Sequence, residues 1–256
     1  MREWGLRVEG LTKYYGELLA CEDVGFEVAR GEALGVIGES GSGKTTVLRC
    51  VAGDERASSG SVHLRDRDGK VVRVLEASPS ERRKLRVSTV SMVYQDPSDG
   101  LDLRVTAGGN IAERLTAAGW RNFGALRSRA GELLERMDID LSRMDHLVRS
   151  FSGGMRQRAQ LAKAVANNPS VLLLDEPTSG LDASVAAGVL DLIRSVLEES
   201  GVTALVVSHD VSVVAMLSRR VIVMHRGRVV ESGLTDQLLE DPQHPYSQQL
   251  VAASRG

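Results

Sequence analysis

Gly38-Glu39-Ser40-Gly41-Ser42-Gly43-Lys44-Thr45-Thr46 is the stretch on which the reading of this chain turns. It fits the pattern G-x-x-x-x-G-K-[ST], in which a glycine-rich loop wraps a phosphate. An apolar run over 34–37 precedes it and a helical pattern over 45–52 follows, so the context is strand, loop, helix. Glycines at 38, 41 and 43 let the backbone turn its N–H groups inward without Cβ clashes. The helix N-terminus beyond adds unpaired N–H donors and a partial positive charge. Lys44 is placed to reach the β- and γ-phosphates and the Thr45 hydroxyl to ligate Mg²⁺, with Ser40, Ser42 and Thr46 completing the nucleotide-binding set. A Gly/Ser-rich turn ahead of an ordinary helix is the alternative, but it requires neither the strand before nor the Lys-Thr after. The stretch predicts a nucleotide-binding loop.

At 256 residues the chain is long enough for one large α/β domain, or for one domain with an inserted lobe. The formal net charge is −2, with Lys and Arg spread along the chain. That argues against nucleic acid or an anionic membrane as the main partner. Cys21 and Cys50 lack metal-ligand spacing and sit beside apolar residues, which predicts reduced, partly buried thiols. No apolar run reaches the ~18–20 residues of a membrane span. The start, Met1-Arg2-Glu3-Trp4-Gly5, lacks the apolar core of a signal peptide. The expectation is a cytoplasmic protein with no direct membrane insertion, peripheral to a membrane only through another chain.

Along the chain, residues 6–11 alternate like a strand, Tyr14-Tyr15-Gly16 turns, and 20–28 reads as a second strand. Tyr15 is either a hairpin filler or a ring placed to stack on adenine, and spacing alone does not separate the two. Ser58-Ser59-Gly60 breaks the chain before a hairpin over 61–75 around Asp68-Gly69. Ser78-Pro79-Ser80-Glu81 opens a short helix whose Arg82-Arg83-Lys84 read as a solvated face. Residues 87–94 look like a strand ending at Gln95-Asp96-Pro97. From 100 to 168 the pattern is helical: Ile111, Leu115 and Ala118 share one face, and Leu126, Ala130, Leu133, Leu134 and Met137 another. Ser150-Phe151-Ser152-Gly153-Gly154 opens the last helix of this stretch, over 155–165.

Residues 171–174 form a buried parallel strand running into Asp175-Glu176-Pro177. A helix follows over 183–199, then a strand over 203–207 ending in Ser208-His209-Asp210. Strands over 221–225 and 228–231 flank Arg226-Gly227, and the tail from 234 is helical around Asp241-Pro242. With one phosphate loop and no internal duplication, 1–256 reads as a single domain. Its α/β core takes 1–99 and 169–233, a helical lobe 100–168, and a helical tail 234–256.

Ligands of an open parallel sheet bind at the carboxyl ends of its strands. The phosphate loop, Gln95, Asp175-Glu176 and His209 all stand at such ends, so they converge on one crevice. A lone buried carboxylate is costly, and Mg²⁺, held directly or through water, gives Asp175 a partner. Glu176, one residue on, reaches a water in line with the γ-phosphate. An isolated His is by default a satisfied core residue; at a strand end in this architecture, His209 is read instead as a γ-phosphate contact. Ser152-Gly153-Gly154, taken alone, is an ordinary helix cap. As a second anion-binding device it makes sense only for a nucleotide bound to another copy of the domain.

These motifs together resemble an ATP-binding-cassette (ABC) ATPase over nearly the whole chain. The resemblance implies a P-loop α/β fold with an N-terminal antiparallel β subdomain and an inserted helical lobe. It makes residues 38–45 Walker A, 171–176 Walker B with Glu176 as catalytic carboxylate, Gln95 the Q-loop glutamine and a second Mg²⁺-side residue, and His209 the switch histidine. Tyr15 matches the adenine-stacking aromatic, and Asp182 belongs to the D-loop Ser179-Gly180-Leu181-Asp182. Phe151-Ser152-Gly153-Gly154-Met155-Arg156-Gln157-Arg158 matches the signature written LSGGQ, with Phe for Leu and Met155 in the glutamine place. Ser152 and Gly154, which carry the contact to the opposite nucleotide, are retained. The family implies Mg²⁺-dependent ATP hydrolysis in a head-to-tail dimer, with each ATP between Walker A of one copy and the signature of the other.

Glu231-Ser232-Gly233 and Asp241-Pro242-Gln243-His244-Pro245-Tyr246 resemble the tail of oligopeptide and nickel importer ATPases. Residues 99–115 and 229–236 are more similar to the K-subunit ATPases of bacterial carbon–phosphorus lyase systems, which break down phosphonates. The chain also stops shortly after Tyr246, without the longer tail of the peptide importers. The resemblance implies, besides a second ABC subunit, docking on a soluble lyase core or, alternatively, on permease subunits. The docking surface is expected on the helical lobe near residues 95–114.

Overall fold

A computed structural model gives the fold of residues 3–254. Met1, Arg2, Arg255 and Gly256, the outer ends of the leader and tail readings, lie outside the described residues. The chain opens with a long hairpin, β1 (Trp4–Tyr15) and β2 (Leu18–Ala29), then enters the central sheet as β3 (Ala33–Ile37) and leaves it as α1 (Lys44–Ala52). A second small hairpin, β4 (Ser59–Arg65) and β5 (Val71–Arg73), leads through α2 (Pro79–Ser88) to β6 (Val90–Val93). The helical lobe holds α3 (Pro97–Gly100), α4 (Ala107–Ala117), α5 (Phe123–Arg136) and α6 (Gly153–Val165). The chain then alternates β7 (Val171–Asp175), α7 (Ala183–Ser200), β8 (Thr203–Ser208), α8 (Val211–Leu217) and β9 (Arg220–His225). It closes with β10 (Arg228–Leu234), α9 (Thr235–Glu240) and α10 (Pro245–Ser254).

Two sheets result. The antiparallel one runs β2-β1-β4-β5, and the larger runs β10-β9-β3-β8-β7-β6. In the larger sheet β9, β3, β8, β7 and β6 are parallel, and β10 pairs antiparallel with β9 at one edge. Every residue of β7 and β8 is buried, as expected of a parallel sheet covered on both faces. Alternation along the strands divides the core. Leu172, Leu174 and Val206 pack with the lobe residues Ile111, Leu134 and Leu161. Leu173, Leu205 and Val207 pack with α1 and with Leu6, Val8 and Leu64 of the antiparallel sheet.

Three local readings are corrected. Residues 87 and 88, read as strand, are the end of α2: Ser78 and Glu81 form a reciprocal capping box that carries the helix through Ser88. Ala118 does not share the buried face of Ile111 and Leu115; it caps α4 and is exposed, because Gly119 at φ 101° turns the chain outward. The helix α8 was not anticipated, since Val211, Val213 and Val214 look like strand residues. Asp210 starts it by accepting from Ser212 N–H at 2.8 Å, and Gly35 leaves room for Val214 to lie against β3. Among the described residues no helix is long and apolar enough to cross a membrane.

Candidate active site

The loop after β3 owes its shape to its glycines. A Cβ at Gly38 would strike the Met224 carbonyl at the end of β9, and one at Gly43 the Ala20 carbonyl on β2. Both residues have positive φ, 154° and 99°, so only glycine fits there without strain. Gly227 N–H, in the β9–β10 turn, donates to the Ser42 carbonyl at 3.1 Å and backs the loop from the same side. Lys44 is buried, and its Nζ donates to the carbonyls of Gly38 (2.7 Å) and Glu39 (2.8 Å). Burial lowers its pKa, against the opposing pull of the Glu176, Asp175 and Glu39 carboxylates.

Asp175 ends β7 at 3% exposure and accepts a hydrogen bond from the Thr45 hydroxyl at 3.0 Å. Burial pushes its pKa up; the Thr45 bond opposes this, and the neighbouring Glu176 carboxylate adds to it. A buried carboxylate beside a hydroxyl at the phosphate loop is a donor set that suits Mg²⁺ and is costly without a cation. Gln95 follows β6 and lines the same cleft as Thr45 and Asp175; its Nε2 donates to Ser179 Oγ at 3.2 Å. The residues present fit the metal.

Glu176 takes a positive φ of 46°, which turns its carboxylate back toward the end of β8. There it accepts from Ser208 Oγ (3.1 Å) and from His209 N–H (2.8 Å), and His209 Nδ1 lies 2.9 Å away. Tyr15, Ala20, Lys44, Gln95, Glu176 and His209 line one cleft of about 470 Å³. Tyr15 is 42% exposed and lines this cleft, with Lys13 Nζ 4.6 Å from its ring centroid.

The signature residues stand elsewhere. Ser152 caps α6, accepting from Met155 N–H at 3.3 Å, and Asp182 caps α7, accepting from Val185 N–H at 3.0 Å. The two helix starts pack together, Gly154 lying against Val185. Neither Ser152 nor Asp182 lines the cleft at the phosphate loop, whereas Gly153 borders an adjoining cleft of about 430 Å³ with Thr45, Gln95 and Asp175. The sequence reading gave no role to Ser208, although a hydroxyl at a strand's carboxyl end was a usable signal. Nor did it give one to Tyr246, whose phenol reaches Glu39 N–H at 2.8 Å from the far end of the chain.

A phosphate loop, a strand-end Asp–Thr pair and a carboxylate held by a histidine, all at one edge of a parallel sheet, define a P-loop nucleotide triphosphatase. The family model described as ABC transporter matches residues 21–179. PhnK of Escherichia coli (strain K12), named for phosphonates utilization and ATP binding, is 43% identical over 248 residues, 97% of this chain and 96% of that protein. The oligopeptide transport ATP-binding protein OppF of Streptococcus pyogenes serotype M1 is 37% identical, covering 99% and 82%. A peptide import ATP-binding protein of Brucella ovis is 36% identical, covering 97% and 78%. Among solved structures, the dimeric ATP-binding cassette MJ0796 bound to ADP and Pi matches with TM-score 0.80 at 28% identity, over 90% of this chain and 98% of that one. The cassette cbiO1 of Clostridium perfringens matches with TM-score 0.80 at 27% identity, over 94% and 92%. The chain belongs to the ABC ATPase family. It binds ATP with Mg²⁺ and hydrolyses ATP, and cassettes of this family work as dimers with partner subunits.

Proposed function

We propose that this chain is the ATPase subunit that docks on a carbon–phosphorus lyase core in phosphonate breakdown, in the cytoplasm. The observation that carries this reading is the 43% identity to PhnK across nearly the whole of both chains, against 36–37% for the peptide importers. ATP turnover would open or remodel the core, and the docking surface is the lobe near residues 95–114.

At the site, the backbone of residues 38–46, including Ser40, Gly41, Ser42 and Thr46, holds the phosphates, and Lys44 neutralises the β- and γ-oxygens. Tyr15 stacks on the base. Thr45, Asp175 and Gln95 hold Mg²⁺, which when bound neutralises phosphate charge. Glu176 orients and deprotonates the attacking water, with Ser208 and the His209 backbone fixing the carboxylate. His209 contacts the γ-phosphate. Ser152, Gly153 and Gly154 of a second copy close over it, and Asp182 lies at the copy–copy contact. Lys44→Ala tests the catalytic half of the reading: it should abolish turnover, and wild-type turnover in that variant would refute it.

The second reading, the motor of an oligopeptide-type importer, is supported by the 36–37% identities to import ATPases. Co-purification of the tagged full chain from its own host decides between them. Lyase core subunits in the eluate support the first reading; permease subunits recovered in detergent support the second.

A further inference from the structure

The phosphate loop is braced on its outer side by a part of the chain that catalysis does not use. Tyr246, at the start of α10, accepts a hydrogen bond from the backbone N–H of Glu39 through its phenolic oxygen, at 2.8 Å. The Glu39 carbonyl accepts from Lys44 Nζ at 2.8 Å, so a single residue separates the tail hydroxyl from the loop's ammonium group. The Tyr246 ring lies against His225 with centroids 3.9 Å apart. His225 Nδ1 is 3.1 Å from Glu39 Oε1, off the line of a hydrogen bond. Glu39 is thus held at its backbone by the tail and approached at its side chain by the end of β9.

The tail is itself anchored independently of the loop. The Glu231 carboxylate accepts from the N–H groups of Gln243 and His244, both at 2.9 Å. Val251 and Leu238 are buried with Ile37, the residue before Gly38, and Tyr246 packs on the same cluster. Tyr246 therefore presents a fixed acceptor to a loop whose remaining geometry is set by glycines.

We propose that Tyr246 is a positioning residue for ATP: its hydroxyl fixes the Glu39 peptide at the loop entrance, and the C-terminal tail thereby sets nucleotide affinity. A loop ordered before the nucleotide arrives loses less conformational freedom on binding it. The effect falls on binding rather than on chemistry, because Tyr246 does not line the cleft that holds Glu176 and His209. The inference rests on residues 38–46 being the ATP site.

Tyr246→Phe removes the acceptor oxygen and keeps the ring on His225. The Kd for a fluorescent ATP analogue and the KM for ATP should both rise about three- to tenfold, the weight of one neutral hydrogen bond. The kcat at saturating ATP should stay within about twofold, and the amide of Glu39 should exchange its hydrogen faster. The Tm without nucleotide should fall by no more than about 3 °C, which excludes general unfolding as the cause. Wild-type Kd and KM in a folded Tyr246→Phe protein, or a fall in kcat with KM unchanged, would overturn the proposal. Lys44→Ala, run beside it, separates the failures. If Lys44→Ala keeps both wild-type ATP affinity and wild-type turnover, the loop reading and this inference fall together. If Lys44→Ala loses ATP and Tyr246→Phe does not, only the tail inference falls.

Discussion

His209 Nδ1 stands 2.9 Å from Glu176 Oε2, and the backbone N–H of the same histidine donates to Oε1 at 2.8 Å. One residue of β8's end therefore engages both oxygens of a carboxylate that follows β7, the neighbouring strand. Ser208 Oγ donates to Oε2 as well, at 3.1 Å. The unfavourable positive φ at Glu176 persists because these contacts over-determine it. Under the proposed function, a water presented to Glu176 meets a carboxylate whose direction is already set, and His209 lines the same cleft.

Glu176→Gln should leave the fold and ATP binding intact while lowering turnover at least 100-fold, since the amide is nearly isosteric but not basic. In ATP and Mg²⁺ the variant should elute from a sizing column as a dimer. A purely monomeric variant, at protein and ATP concentrations well above the nucleotide Kd, would count against the sandwich.

Met155 is partly buried against the lobe core, and a thioether is at best a weak acceptor, so its expected contribution is packing rather than a contact to the opposite nucleotide. Met155→Gln should change turnover by only a few-fold, whereas Ser152→Arg should block closure and abolish it. Steady-state ATPase rates measured side by side decide this. Equal loss in both variants would give Met155 a role in the contact itself.

Gly154 lies where a methyl group would run into Val185 Cγ1. Gly154→Ala should therefore destabilise the chain by about 1–3 kcal/mol, the usual cost of overpacking. Adding Val185→Ala should recover most of the lost Tm. Thermal melts of the single and double variants check it, and a silent single variant contradicts the close packing of α6 on α7.

Glu231 anchors the tail. Burial raises its pKa, but hydrogen bonding, with the N–H groups of Gln243 and His244 as donors, outweighs this, and the net shift is downward. A folded pKa below the unfolded value means stability that is present above about pH 4.3 and is lost as pH falls through the folded value. Glu231→Gln should lower Tm by about 2 °C at pH 7, a modest effect for a partly exposed carboxylate. The gap to wild type should close as the pH drops below the carboxylate range. A gap that widens on acidification contradicts the sign.

Cys21 and Cys50 are free and fully buried, and burial, with Cys21 nearby, pushes the Cys50 thiol up to about 12. Native protein at pH 8 should release no colour with a disulfide-exchange reagent, and two thiols should react per chain after denaturation. Rapid labelling of the native protein would show that this part of the core opens.

What the sequence determined by itself was whatever contiguous residues carry. The phosphate loop needs its glycines, lysine and threonine at fixed neighbouring positions, so its chemistry is written over 38–46. The buried strands are legible as unbroken apolar runs, and the start of α2 as Ser78 with Glu81 three residues on. Tertiary structure decided what depends on packing and on distance along the chain. The valines of α8 favour a strand locally, and only the Asp210 cap together with the space above Gly35 makes them helical. Thr45 meets Asp175 across 130 positions and Glu39 meets Tyr246 across 207. A hydrogen bond between residues that far apart leaves no periodicity for a local pattern to detect. It exists because parallel strands bring their carboxyl ends to one edge, and because the buried Val251 and Leu238 hold the tail beside it.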